Sequence, residues 1–322
     1  MEKNRLISIV IPCVNEEENI NRTLDGLLDL ARGHKYAFEI IAVNDGSKDK
    51  TWEVIRKYAN AHAEVKGINL MTNFGQSAAY MAGFDLAEGD YIITVSADLE
   101  IPLENINKVI DYLDDGYDFV NTNRANRWGG GKSGRAKQSG LANRIIGKVS
   151  GVYVKDRGSG MKGFRRDIAK NLRLYGEMHR FIPDYASVYG PRTIEFDVDF
   201  KDRDFGQSYY KGHKRTFKVL LDIMTLYFML YFARKPFKAM PGRLFGFTGA
   251  VVSGVGGLIA FYLLVLKIMG QSIGSRPLLM LSVLLIVVGI QSMMLGMLGE
   301  LMMRIYFESS GRKTYIVREI AE

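Results

Sequence analysis

Along the first half of the chain, short apolar runs take turns with segments whose apolar residues fall at helical spacing. Leu6–Pro12 (LISIVIP) is a continuous apolar run of strand length. It leads into NEEENINRTLDGLLDLAR, where Ile20, Leu24, Leu27 and Leu28 recur every three or four positions. Phe38–Asn44 (FEIIAVN) predicts a second strand, DGSKDKT a turn, and Thr51–Asn60 a helix. Val65–Leu70 and Tyr91–Ser96 predict further strands, with a helix over Ser77–Ala87 between them. Strands that read apolar on both faces and alternate with helices predict a mostly parallel sheet covered on both sides, an α/β fold. Ligands in such folds sit beyond the carboxyl ends of the strands. Those ends read PCVNEE, VNDGSKD, MTNFGQS and SADLE, all polar or Gly-bearing where a plain connection need not be.

The second half changes character. A Gly-rich basic stretch, NRANRWGGGKSGRAKQSG, follows Asn121. It reads as a flexible linker or, from Arg124, Arg127, Lys132, Arg135 and Lys137, as a loop closing over an anion. KGHKRTFKVLLDIMTLYFMLYFAR combines a basic start with an apolar-aromatic body at helical spacing. A buried core helix and an interfacial amphipathic helix both fit, and the Lys/Arg cluster favours the second. Leu244–Met269 and Pro277–Met303 are each long and apolar enough to cross ~30 Å of hydrocarbon. Gly246, Gly249, Gly254, Gly256 and Gly257 give the first a small-residue face suited to close helix packing. The short connection KIMGQSIGSR predicts a hairpin. Basic residues crowd its outer flanks, so both flanks and the preceding domain are expected on the cytoplasmic side. The expected organisation is a cytoplasmic domain over 1–212, juxtamembrane amphipathic helices over 213–240, a transmembrane hairpin over 241–304 and a cytoplasmic tail over 305–322. In that tail, GRKTYIVREI alternates like a strand and could add to the sheet edge of a neighbouring protomer, so a homo-oligomer is expected.

Charge and cysteine usage narrow the partners. The net charge of +8 points to an anionic partner. No nucleic-acid motif is present, which leaves anionic lipid and phosphorylated substrates. Cys13 is the only cysteine, so neither an intrachain disulfide nor a Cys-cluster metal site can form. The thiol reads as a packed small residue. Four scattered histidines give no zinc pattern. MEKNRLISIVIP lacks a signal-peptide pattern.

The candidate chemistry lies at TVSADLEIP, residues 94–102. Asp98 and Glu100 there are a solvated turn or hard oxygen ligands for Mg²⁺ or Mn²⁺. IPCVNEEENI, VNDGSKDKT, NFGQSAAYMAGFDLAEGDYIITVSADLEIP and KDRGSGMKGFRRDI, in this order and spacing, resemble family 2 glycosyltransferases. Within that family they look like the polyprenyl-phosphate group, dolichyl-phosphate mannose synthase and bacterial undecaprenyl-phosphate glucosyltransferases, and the paired C-terminal helices match its membrane-anchored branch. The resemblance spans about residues 6–215. It implies a GT-A-like Rossmann-type domain and an inverting transfer of sugar from a UDP- or GDP-sugar to polyprenyl phosphate. The expected cofactor is Mg²⁺ or Mn²⁺, and the expected partners are nucleotide-sugar, polyprenyl phosphate and membrane lipid. The alternatives are a transferase acting on a polysaccharide or glycolipid headgroup, and a non-catalytic nucleotide- or lipid-binding membrane protein. Two spans are few for a polymer channel, and QxxRW is absent.

The resemblance also assigns residues. Asp98, with Glu100, would hold the cation on the donor diphosphate. The family pattern there is Asp-Ala-Asp, and this chain has Ser96 at the first position. Asn44–Asp45 stands where the family has Asp-Asp, and Val14 where its Pro-x-Tyr-Asn-Glu has the aromatic. Pro12, Glu16, Asn44, Asp45, Asn73, Gly75, Ser96 and Arg124 are the candidate nucleotide-sugar residues. For Asp45 and Gly75 a purely structural turn role stays open. Asp156, in KDRGSG, matches the Asp that the family places beside the acceptor. A phosphate monoester is already largely dianionic at neutral pH, so this residue reads as orienting the acceptor or ordering a basic side chain rather than as a base. Arg203, Ser208 and Tyr210 resemble the family's Arg-x-x-Gly-x-Ser-x-Tyr; Arg203 would meet diphosphate oxygens bidentately, or else form a surface ion pair. Arg135, Ser208, Lys211, Lys214 and Arg215 are the candidate lipid-phosphate residues, the basic ones equally suited to anionic lipid. His179 and Arg180, in GEMHRFIP, are expected near the same cleft.

Overall fold

The computed structural model describes residues 5–125, 147, 152–174, 178–201, 241–274, 277–308 and 313–322. Arg127, Lys132, Arg135 and Lys137 of the basic loop, then Arg203, Ser208, Tyr210, Lys211, Lys214, Arg215 and the amphipathic segment 213–240, lie outside them. The chain divides into two units, Met1–Leu230 with Lys313–Glu322, and Tyr231–Arg312.

The first unit is built on one eight-stranded sheet. In chain order its elements are β1 (Leu6–Cys13), α1 (Ile20–Gly33), β2 (Ala37–Asn44), α2 (Thr51–Ala61), β3 (Val65–Leu70), α3 (Gln76–Leu86), β4 (Tyr91–Thr94), α4 (Asn105–Asp114) and β5 (Phe119–Arg124). Then come β6 (Lys162–Arg165), α5 (Arg166–Asn171), α6 (Ile182–Ala186), β7 (Thr193–Val198) and, from the tail, β8 (Val317–Ala321). The sheet order is β7-β5-β6-β4-β1-β2-β3-β8. Strands β4, β1, β2 and β3 run parallel, as their apolar runs and intervening helices predict. β6 runs antiparallel between β4 and β5, and β7 runs parallel to β5.

The period of two along each strand decides which core it feeds. Ile7, Ile9 and Ile11 of β1, with Ile40 and Ala42 of β2, face the α1, α2 and α4 side, against Ile20, Leu24, Ile55 and Ile110. Val10, Ile41 and Val43 face the other side, against Ala78, Ala79, Phe84 and Ala169 of α3 and α5. Each fully buried isoleucine contributes about 1.5–3 kcal/mol, so the parallel centre is the stable part of the unit. Pro12 is tolerated in a central strand because β4 pairs only as far as Val10↔Thr94, two residues short of it.

The tail does form a strand, and it pairs antiparallel with the chain's own β3. Tyr315, just before it, is buried in the α3-side core and donates to Asp85 at 2.7 Å. Met71 N donates to Ile316 O at 3.0 Å.

The second unit is a pair of long helices, α7 (Pro241–Ile268) and α8 (Pro277–Glu308). Phe245–Ile268 and Pro277–Gly299 are long and apolar enough to cross a membrane. Most of their apolar side chains are exposed, which suits lipid and does not suit a water-facing surface. The small-residue face is narrower than expected. A Cβ on Gly249 would lie 2.5 Å from Gly289 O, and one on Gly256 would lie 2.9 Å from Ser282 O, so these two let α7 and α8 approach. Gly246, Gly254 and Gly257 have nothing within 4 Å of the same position.

Candidate active site

The carboxyl ends of β3, β2, β1, β4 and β5 contribute to one edge of the sheet, and the candidate residues gather there in two groups. The first belongs to β1–β3. Two loops lock onto each other: Asn15 N donates to Ser47 Oγ at 2.9 Å, and Lys48 N returns to Asn15 Oδ1 at 2.8 Å. Glu16 N donates to Thr51 Oγ1 at 2.8 Å, and Glu16 Oε2 accepts from Asn19 at 2.7 Å. Asn44 is buried, with Nδ2 on Asn69 Oδ1 at 2.8 Å, and its Oδ1 accepts from Ser47 N at 3.3 Å. Asp45 accepts from Phe74 N at 2.7 Å and Gly75 N at 2.9 Å. Burial raises its pKa, and those two amides offset only part of the rise.

The same contacts explain two glycines. Gly46 has φ +64, and a Cβ there would lie 2.4 Å from Asn73 N, so no other residue fits the crossing of the 45–50 and 72–75 loops. Gly75 has φ +91 and ψ 159, a region that side chains avoid. Asn73 is exposed beside them, and Pro12 and Glu16 are partly exposed. Cys13 is buried, and burial followed by the charges of Glu16 and Asp49 pushes its thiol well above the usual value, which makes it inert.

The second group belongs to β4, β5 and the 152–160 loop. After β4 the chain reverses sharply: Leu99 holds φ 53, and Glu100 N donates to Asp98 Oδ1 at 3.4 Å. A left-handed leucine is strained by about 1–3 kcal/mol, and such strain concentrates at functional sites. Arg124, the last residue of β5, is buried between carboxylates. Its Nε and Nη2 donate to Asp156 at 2.6 and 3.0 Å, and its Nη1 to Glu100 at 3.1 Å. Burial works against its charge, and Asp156 and Glu100 more than offset this, so its pKa is raised. Ser96 meets the 152–160 loop as well, since a Cβ on Gly160 would lie 1.8 Å from Ser96 Oγ. The structure therefore brings Ser96, Asp98, Glu100, Arg124 and Asp156 together. His179 lies against the first turn of α3, with Nδ1 3.2 Å from Ser77 Oγ.

Several supporting residues have no counterpart in the sequence reading. Lys162 of β6 is buried and donates to Ser159 O. Burial lowers its pKa to about 7; Asp156 and Glu195 resist that shift and Arg124 adds to it. Arg157 is buried on Asp184, with Nε–Oδ2 2.9 Å and Nη2–Oδ1 3.2 Å. Glu195 of β7 accepts from the main chain of Lys155 and Asp156. The available signal is a polar residue where a buried strand calls for an apolar one, Asn121 in FVNTNR and Lys162 in KGFR; Glu195 gives none, since it falls on the polar side of the alternating edge strand TIEFDV.

Among the described residues no three His, Cys, Asp or Glu side chains form a complete metal cage. Asp98 and Glu100 offer hard carboxylate oxygens of the type that Mg²⁺ or Mn²⁺ takes. Glu100 pairs with Arg124 Nη1 at 3.1 Å.

Residues 8–173 match the family model described as glycosyl transferase family 2. The chain is 35% identical to dodecaprenyl-phosphate galacturonate synthase of Rhizobium johnstonii, over 98% of this chain and 92% of that protein. It is 33% identical to undecaprenyl-phosphate 4-deoxy-4-formamido-L-arabinose transferase of Photorhabdus laumondii, over 99% and 95%. Among solved structures it resembles glucosyl-3-phosphoglycerate synthase of Mycobacterium tuberculosis in complex with Mn²⁺, uridine diphosphate and glucosyl-3-phosphoglycerate. That match has a TM-score of 0.52 at 15% identity, over 70% of this chain and 80% of that one. Mannosyl-3-phosphoglycerate synthase of Rubrobacter xylanophilus gives a TM-score of 0.52 at 16% identity, over 69% and 73%. At these identities the structural likeness establishes the GT-A-like fold.

Proposed function

The chain belongs to glycosyl transferase family 2, and from that premise we propose that it is a membrane-anchored, inverting transferase moving a sugar from a UDP- or GDP-sugar to a polyprenyl phosphate. The observation that carries this reading is the length of the likeness: both curated relatives match over nearly the whole chain, paired apolar helices included. A phosphate oxygen of the lipid attacks the anomeric carbon. The bond to the nucleoside diphosphate breaks, and the leaving group takes its electron pair.

The chain's own residues supply placement and charge. Asp45 fixes the 73–75 loop, beside which Asn73, Gly75, Glu16 and Pro12 form the nucleotide side. Asp98, joined by Glu100, would hold a divalent cation, which supplies charge to the departing diphosphate when bound. Asp156 acts by ordering Arg124 rather than as a base, because the acceptor phosphate needs no deprotonation near neutral pH. Arg203 is assigned to the diphosphate by motif, and Lys211, Lys214 and Arg215 to the lipid phosphate by their position just ahead of the membrane segment. The catalytic unit is placed on the cytoplasmic membrane face.

The test is release of nucleoside diphosphate from a panel of UDP- and GDP-sugars, with and without undecaprenyl phosphate. Release that depends on the lipid phosphate is expected. Asp98→Ala should lose at least about 100-fold in kcat while circular dichroism stays unchanged. Full turnover in the presence of a chelator would remove the metal from this account.

A further inference from the structure

Asp156 is held before it holds anything. Its N–H donates to Glu195 Oε1 at 3.2 Å, and its carbonyl accepts from Asn121 Nδ2 at 3.0 Å. Glu195 also takes Lys155 N through both oxygens, at 3.0 and 2.9 Å, and Asn121 Nδ2 at 2.8 Å. Asn121 and Glu195 sit directly opposite each other in the β5–β7 pairing, so register fixes this clamp. With its backbone set on both sides, Asp156 presents two oxygens to Arg124, and Arg124 reaches on to Glu100 beside Asp98.

The chemistry requires a carboxylate at 195. Three N–H donors converge on the two oxygens, and an amide would offer one acceptor and turn its own N–H₂ toward main-chain N–H groups. Asn121 Oδ1 is buried with no partner among the described residues, an arrangement that is rare in native proteins and calls for an explanation. On this geometry we infer that Glu195 is a positioning residue for the transfer. It fixes the Lys155–Asp156 main chain so that Asp156 aims Arg124 at the strand ends carrying Asp98 and Glu100. The inference rests on the reading of this edge as the transfer site.

Glu195→Gln in the full detergent-solubilised protein tests it through three readouts. Hydrogen exchange of a peptide spanning 152–161 should accelerate about tenfold or more, while peptides from β1 and β2 stay protected. Affinity for UDP with Mn²⁺ should stay within about twofold of wild type, and kcat with undecaprenyl phosphate should fall about tenfold or more. Unchanged exchange overturns the inference. So does a loss of UDP affinity in parallel with kcat, which marks general loosening of the domain. A wild-type protein that transfers nothing to lipid phosphate defeats the functional reading, and the exchange readout alone then decides the role of Glu195.

Discussion

Lys162 shows what a single residue reveals about the site's electrostatics. Its ammonium is buried among Asp156, Glu195 and Arg124, and its pKa falls from 10.5 to about 7. Between those values the unfolded chain holds the proton and the folded chain does not, so unfolding takes up a proton. Stability therefore rises as pH increases from about 7 toward 10, and below about 7 the full penalty of a buried charge persists. Lys162→Met keeps the volume and removes the proton. It should raise the urea midpoint at neutral pH and flatten the rise between about pH 7 and 10; an unchanged slope would show that the lysine is not the source. The sequence makes Asp45, Asp98 and Glu100 legible because acids at strand ends stand out. It hides the partnership of Glu100 with Arg124, 24 positions away, because that contact exists only once β6 has been inserted between β4 and β5.

The 152–160 loop is the element on which the site turns, and it is secured from three directions. Glu195 takes its amides and Lys162 a carbonyl, while Arg157 runs inward to Asp184 and to the carbonyls of Val152 and Val154. Breaking a buried pair leaves an uncompensated charge, so Asp184→Ala should destabilise the unit by about 3–5 kcal/mol. The check is thermal unfolding followed by tryptophan fluorescence. A shift no larger than that of a surface Asp→Ala control would mean that the pair is not holding the loop. At this scale the alternation of apolar runs and helical spacing delivers β1 to β4 and α1 to α3 nearly to the residue. It fails for β6, whose four residues include the buried Lys162 and Gly163: tertiary pairing makes this strand, not propensity. β8 is legible as a strand but not in its partner, since an alternating edge strand reads the same whichever sheet edge it meets.

At the scale of the whole chain, connectivity decides topology. The polypeptide leaves the first unit for a pair of apolar helices and then returns to it, because β8 pairs with β3 of the same sheet. If each helix crosses the bilayer once, two crossings bring the chain back to the side it left, and the 269–276 connection lies on the opposite side. From the basic flanks outside the hairpin, the positive-inside tendency predicts that the returning side is cytoplasmic. The single native cysteine is buried, so introduced cysteines report cleanly. Ser272→Cys, exposed in the connection, should react with a membrane-impermeant maleimide in intact spheroplasts. Thr314→Cys, exposed just before β8, should react only after permeabilisation. Equal labelling of the two without permeabilisation would mean that the helices lie along the membrane rather than across it, and labelling of Thr314→Cys alone would mean that the sheet faces outward. Either outcome would separate the catalytic unit from a cytoplasmic pool of nucleotide-sugar and force a different donor.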